Sequence, residues 1–225
     1  MFRREGPARD PQKNILLAAY LAATAGFVNS GGFVLIGSFT SHVTGSIGRI
    51  ARDISEGNPL ASLSAALLVL AFFVGAFLAS SLLESNRFTQ LATRYALALL
   101  SEAGMLVCFV FVARLSRASH PRVLDAQAAL LCAAMGMQNS LVTRLSGAVV
   151  RTTHLTGVVT DLGIEAARWY RWHRTALSAS TSESPPDPPS LHRAGLLLAV
   201  VASFVAGAIA GGVLTFRASR WAMCL

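Results

Sequence analysis

Apolar residues fall in long runs along this chain, with short polar stretches between them. The runs lie at about 14–37, 60–83, 94–113, 123–143 and 194–216. Each reaches the roughly 20 residues that a helix needs to cross a hydrocarbon core of about 30 Å. Two polar stretches carry a helical period instead. In 40–56, Val43, Ile47, Ile50 and Ile54 form one face, and His42, Ser46, Arg49, Asp53 and Glu56 run down another. In 152–169 the apolar face is Leu155, Val159, Leu162 and Ala166, and the polar face is His154, Val158, Asp161, Glu165 and Arg168. Both read as amphipathic helices behind Ser/Thr-rich caps, too polar to span lipid alone. The pattern predicts an all-α polytopic membrane protein with five full transmembrane helices and two short amphipathic ones.

The polar stretches repeat one another. Ser41-His42-Val43-Thr44-Gly45 matches Thr153-His154-Leu155-Thr156-Gly157 at an offset of 154 − 42 = 112. Upstream, Gly26-Phe27-Val28-Asn29-Ser30 matches Gly136-Met137-Gln138-Asn139-Ser140 at 136 − 26 = 110. Downstream, Gly75-Ala76 matches Gly207-Ala208 at 207 − 75 = 132. Three blocks in one order predict an internal duplication. The first repeat is 14–113 and the second is 123–216, between a basic cytoplasmic tail at 1–13 and a short tail at 217–225. Residues 175–190, rich in Ser and Pro, have the composition of a disordered linker and account for the longer third offset. Three spans per repeat is an odd number, so the halves are expected to be inverted. The second repeat has no counterpart of span 94–113.

Composition agrees with the membrane. Of 225 residues, 53% are hydrophobic and 13% charged, with mean hydropathy +0.54, against about 25% charged residues in soluble domains. The net charge of +8 comes almost wholly from arginine. The arginines are scattered between apolar runs, so they read as topology determinants and not as a nucleic-acid surface. Twelve basic residues fall on the N-terminal side and seven opposite, which predicts a multi-pass protein of the inner (plasma) membrane with a cytoplasmic N-terminus. Ala23-Thr24-Ala25 resembles a signal-peptidase site, but residues 26–30 recur inside the chain and belong to the fold. Cys108, Cys132 and Cys224 show neither metal nor disulfide spacing.

Candidate chemistry sits in the repeated blocks. Asn29-Ser30-Gly31-Gly32 is expected to interrupt the first span, with Asn29 and Asn139 at equivalent points of a binding site. His42 and His154 each precede an apolar residue, Thr and Gly at a helix start, where free backbone N–H groups favour anions. Thr44 and Gly45, with Thr156 and Gly157, complete those half-sites. Along the polar faces, equivalent positions hold Arg49 and Asp161, Asp53 and Glu165, Glu56 and Arg168. Arg49 with Asp161, and Glu56 with Arg168, are expected to pair across a shared polar path. The alternative places each helix flat in the interface with its polar face in water. Glu102 lies near the middle of span 94–113. A charge at a helix centre costs roughly 2.5–3.5 kcal/mol on insertion scales, so Glu102 is a candidate for proton coupling. No metal site or cofactor is predicted.

These residues resemble a known family. The paired Ser-His-Val-Thr-Gly and Thr-His-Leu-Thr-Gly motifs, with Gly-Phe-Val-Asn-Ser and Gly-Met-Gln-Asn-Ser-Leu-Val, look like the YoaK family of membrane proteins over roughly residues 14–216. The resemblance implies a helical fold in a membrane, and it brings no established substrate or reaction. The family typically has six membrane helices, and this chain lacks the sixth. A homodimer is one way of completing the set.

The function expected is therefore a small secondary transporter or channel for an unidentified small solute, with the bilayer as its other partner. A non-transporting membrane partner or regulatory protein is the second reading. No nucleophile elbow, His-Glu-x-x-His or Cys/His pair appears, so an enzyme is not expected.

Overall fold

The structure is a computed structural model, and it describes residues 11–85, 90–115, 121–145, 155–177 and 190–223. Among them are seven helices and no strand: α1 (Pro11–Ile36), α2 (Val43–Ser55), α3 (Pro59–Glu84), α4 (Leu91–Leu115), α5 (Pro121–Leu145), α6 (Leu155–Leu177) and α7 (Leu191–Met223). Local chemistry sets several ends. Gly37 and Gly57 adopt positive φ (74° and 71°) just beyond α1 and α2, where a left-handed residue closes a helix and only glycine is unstrained. Asn58 caps α3, accepting from the Ala61 amide at 3.3 Å, with Pro59 at the first helical position.

Four helices are long and apolar enough to cross a bilayer: α1 over Ile15–Ile36, α3 over Pro59–Glu84, α4 over Leu91–Ala113 and α7 over Leu191–Ala218. They turn large apolar side chains outward, among them Leu63, Phe73, Phe111 and Ile209. A soluble protein would not expose apolar surface on this scale, so these faces meet lipid. The fifth apolar run forms α5, which is not among those four helices. It lies instead against α3, α4 and α1, with Gln127, Gln138 and Asn139 buried there.

The expected interruption at 29–32 does not occur, because α1 runs unbroken to Ile36. Close packing outweighs the weak helix propensity of the glycines. A side chain at Gly32 would meet the Thr40 methyl at 2.9 Å, and one at Gly31 would meet Thr215 Oγ1 at 3.0 Å. The first amphipathic helix starts later than the sequence pattern suggests, at Val43, and α6, described from Leu155, extends to Leu177. It thereby absorbs residues 175–177 of the expected linker, where Thr175 Oγ1 donates to the Arg171 carbonyl at 3.0 Å. Residues 178–189 and the tails at 1–10 and 224–225 lie outside the described residues.

Two helix pairs make the body of the bundle, α1 with α7 and α3 with α5. Glycines bring their backbones together. A methyl group at Gly26 would overlap the Phe204 carbonyl on α7, and one at Gly207 the Ala23 carbonyl on α1. On the other pair, Gly136 meets the Phe72 carbonyl and Gly75 the Ala133 carbonyl. Such contacts let lipid-embedded helices approach closely, where no hydrophobic effect drives them together. Ser80 and Ser140 share a 2.8 Å hydrogen bond across α3 and α5, and Ser64 donates to Asp125 at 2.9 Å. Between the pairs, α1 meets α5 more sparingly; α4 lies on α5 and α3, α2 on α3, and α6 on α7.

Candidate functional site

The first repeated block is built around Asn29. Its Oδ1 accepts from the Thr40 amide (3.1 Å), the Ser41 amide (3.2 Å) and Ser41 Oγ (3.0 Å). One side chain thus ties the loop after α1 back onto α1 and sets where α2 begins. Phe33 and Phe39 stack at 4.3 Å, and His42 meets Phe39 edge-on at 6.3 Å. The His42 ring folds over the first turn of α2 and rests against Gly45, where a methyl group would overlap its Cδ2. This contact explains the spacing of the motif: the fourth residue must be glycine for the imidazole to lie there. Thr44, between them, is exposed.

Beside this turn is a cleft of about 170 Å³ lined by Ser38, His42, Ser46 and Arg49. Arg49 donates to Ser38 at 3.2 Å and pairs with Asp53 Oδ2 at 3.5 Å. His154 lies outside the described residues. Thr156 and Gly157, at the start of α6, are exposed.

The charged faces pair differently from the cross-repeat expectation. Arg49 binds Asp53 on its own helix, and Asp161 lies 3.7 Å from Arg193 at the start of α7. Glu56 meets Arg52, and Arg168 meets Glu165. The reason is proximity: partners one turn apart, or on the adjoining helix, are in reach without α2 meeting α6. The third equivalent pair behaves differently. Asp53 and Glu165 are both buried, at 1% and 2% exposure. Arg52 holds Asp53 Oδ1 at 2.7 Å, and Arg168 holds Glu165 Oε1 at 2.8 Å. The hydrogen bond and charge of Asp53 raise the Arg52 pKa above its ordinary value. Each carboxylate is left with its other oxygen buried and without a hydrogen bond, Oδ2 and Oε2 respectively.

Deeper in the bundle, Glu102 is 5% exposed in α4, and its Oε2 has no hydrogen-bond partner. Asn139 is buried in α5 with Oδ1 unpartnered. The repeat-equivalent Asn29 spends the same atom on a loop.

The sequence reading passed over Gln138, which is fully buried. Its Nε2 donates to the Leu21 carbonyl on α1 at 3.2 Å, and its Oε1 has no partner. The amides Gln127, Gln138 and Asn139 inside the apolar run 123–143 were the available signal. Buried Gln127, eleven residues earlier, falls on the same face of α5 after three turns. All the buried side-chain atoms without a hydrogen bond among the described residues are oxygens, though Asp53 Oδ2 keeps its ion pair with Arg49. Leaving such an atom unsatisfied costs about 1–3 kcal/mol, so their recurrence in one small bundle asks for an explanation. Among the described residues, no group of three His, Cys, Asp or Glu is placed to hold a metal.

A helical membrane protein is what these features define, with apolar helices outside and buried polar side chains within. A family model described as "Protein of unknown function (DUF1275)" matches residues 17–225, and the chain belongs to that family, which includes the YoaK proteins. No curated protein and no solved structure matches the chain.

Proposed function

We propose that the chain is a small proton-coupled secondary transporter or channel for a small solute, built from two inverted repeats. Residues 14–113 and 123–216 are the halves, and α5 is the fifth crossing beside α1, α3, α4 and α7. The buried acid Glu102 carries this reading. An ionisable group inside a membrane helix is expensive to keep there and is by default a functional site. The described charged groups on the helices around it are engaged elsewhere. Arg94 donates to the Leu83 carbonyl, Asp125 accepts from Ser64, and Arg144 pairs with Glu84. Glu102 is therefore left to exchange a proton.

The glycine contacts support the repeat. Gly26 against Phe204 and Ala208 corresponds to Gly136 against Phe72 and Ala76: 136 − 26 = 110, 204 − 72 = 132 and 208 − 76 = 132. Gly207 on Ala23 corresponds to Gly75 on Ala133 by the same two offsets. The α1–α7 and α3–α5 pairs then exchange under the repeat, and the α1–α5 contact maps onto itself. A helix of 25 residues such as α5, about 37 Å long at 1.5 Å per residue, is long enough to cross. Its polar residues face protein, which membrane helices tolerate. The arginine asymmetry supports a plasma-membrane protein with the N-terminus in the cytoplasm.

The test is flux in proteoliposomes enclosing a pH dye, under an imposed proton gradient. A panel of amino acids, sugars, ammonium compounds and inorganic ions is supplied outside. At least one class should speed collapse of the gradient, and Glu102→Gln should slow that by about tenfold or more, within the range of lost proton-transfer groups. Equal rates for wild type and Glu102→Gln would remove Glu102 from the mechanism, and silence across the panel would argue against transport.

A further inference from the structure

We infer that the cleft beside the first turn of α2 binds the phosphate of an anionic membrane phospholipid, with Arg49 as its cationic anchor. Neither Glu102 nor proton coupling enters: the cleft holds its lipid whether or not the chain transports a solute.

The first support is the lining. The cleft of about 170 Å³ has Ser38, His42, Ser46 and Arg49 on its polar side and Phe39 and Leu68 on its apolar side. One water needs only about 10–15 Å³ of such space, so a phosphate group fits. Among the described residues no carboxylate lines it. Arg49 spends Nη1 on Ser38 Oγ at 3.2 Å and Nε on Asp53 Oδ2 at 3.5 Å, which leaves Nη2 without a partner among the described residues. Ser38 Oγ accepts that bond, so its own proton remains to be donated. The His42 ring makes no capping hydrogen bond. Ser46 Oγ is engaged, donating to the His42 carbonyl at 3.3 Å.

The second is the charge at the anchor. Arg52 holds Asp53 with two hydrogen bonds, at 3.1 and 2.7 Å, whereas Arg49 meets it only at 3.5 Å. Two guanidinium groups thus share one buried carboxylate, and Glu56 pairs with Arg52. The Arg49 side chain is 40% exposed, and its planar fork of donors suits phosphate oxygens. The donors are set before a ligand arrives. Asn29 ties down Thr40 and Ser41, and Ser38 and Asp53 hold Arg49, so little freedom is lost on binding.

The third is position, which makes the phosphate a lipid's. The apolar span of α1 ends at Ile36, and the next residue, Gly37, already lines the cleft. Ile36 packs against the small apolar cluster that holds Leu68. The cleft therefore opens at the edge of the hydrocarbon core, the level of lipid headgroups. Its rim is apolar: Phe33 and Phe39 stack at 4.3 Å yet are each 44% exposed, and Ile47 is 55% exposed. Acyl chains cover such a rim, and a free phosphate leaves it bare. A zwitterionic headgroup would bring its ammonium to a lining that offers no acid, so the anionic class is the one that fits.

The experiment follows thermal unfolding of the full chain purified in a nonionic detergent. Phosphatidylglycerol or phosphatidylcholine is added to the micelles, or sodium phosphate to the buffer, at matched ionic strength. Phosphatidylglycerol at ten times its dissociation constant should raise the midpoint by about 3 °C. Phosphatidylcholine and inorganic phosphate at the same concentration should not. Arg49→Gln should need at least about tenfold more phosphatidylglycerol for half the rise, because a charge-assisted hydrogen bond is lost. Arg171→Gln, which removes the same charge from an exposed position on α6, should respond like wild type. Equal rises with the two lipids, or an unchanged response in Arg49→Gln, overturn the site. An equal loss in Arg171→Gln would reduce the effect to general attraction and also overturns it. A full rise with inorganic phosphate alone overturns the lipid assignment. If Arg49→Gln does not fold, Ser38→Asp decides: a carboxylate beside Arg49 should block the rise, and an undiminished rise overturns the site.

Discussion

Gly75→Leu and Gly207→Leu should each lower the thermal midpoint of the purified protein by about 10 °C or more, with loss of the monodisperse species in size-exclusion chromatography. A branched side chain at Gly75 has to displace the Ala133 backbone on α5, and one at Gly207 the Ala23 backbone on α1. Backbone does not yield as a flexible side chain does. Overpacking in a close-packed interior costs typically 1–3 kcal/mol, and helix backbones in contact sit at the upper end. Gly104→Leu on α4 is the control, because nothing lies within 4 Å of a side chain there. It should unfold like wild type. If Gly75→Leu and Gly104→Leu behave alike, the helices do not meet where described.

The second large effect belongs to Asn29. Asn29→Ala removes the acceptor of three hydrogen bonds, each worth about 1 kcal/mol net and more where an amide is left buried. The loop 37–42 then loses its tie to α1, and α2 its starting point. Hydrogen exchange should show lost protection from Thr40 through Ser55 while α3 and α5 stay protected. Asn29→Asp keeps the oxygen and should retain most of that protection. Uniform loss of protection across the chain would mean that Asn29 supports the whole bundle and not this loop.

Much of this arrangement was legible in the sequence, for definable reasons. Apolar runs of the right length need no partner to declare themselves, so α1, α3, α4 and α7 stood out. The three- and four-residue spacing of Val43, Ile47, Ile50 and Ile54 set α2 apart with equal clarity. The recurrence of His, Thr and Gly marked the motif, but not its cause, the imidazole resting on Gly45. Other features depended on neighbours. Gly31 and Gly32 look like helix breakers by propensity, yet Thr215 and Thr40 crowd them and α1 continues. Arg49 and Asp161 are equivalent by sequence, but each has a nearer partner, Asp53 and Arg193. Gln138 hid in an apolar run because nothing in sequence reveals that its amide reaches the Leu21 carbonyl.

The inverted repeat can be tested by sidedness. In a background with Cys108, Cys132 and Cys224 replaced by alanine, single cysteines are placed at the exposed Ser55 on α2 and the exposed His173 on α6. Intact cells are treated with a membrane-impermeant maleimide. With the N-terminus in the cytoplasm, inverted halves require Ser55→Cys to label directly and His173→Cys to label only after the membrane is opened. Labelling of both from the same side contradicts inversion, and with it the transporter built from two inverted repeats.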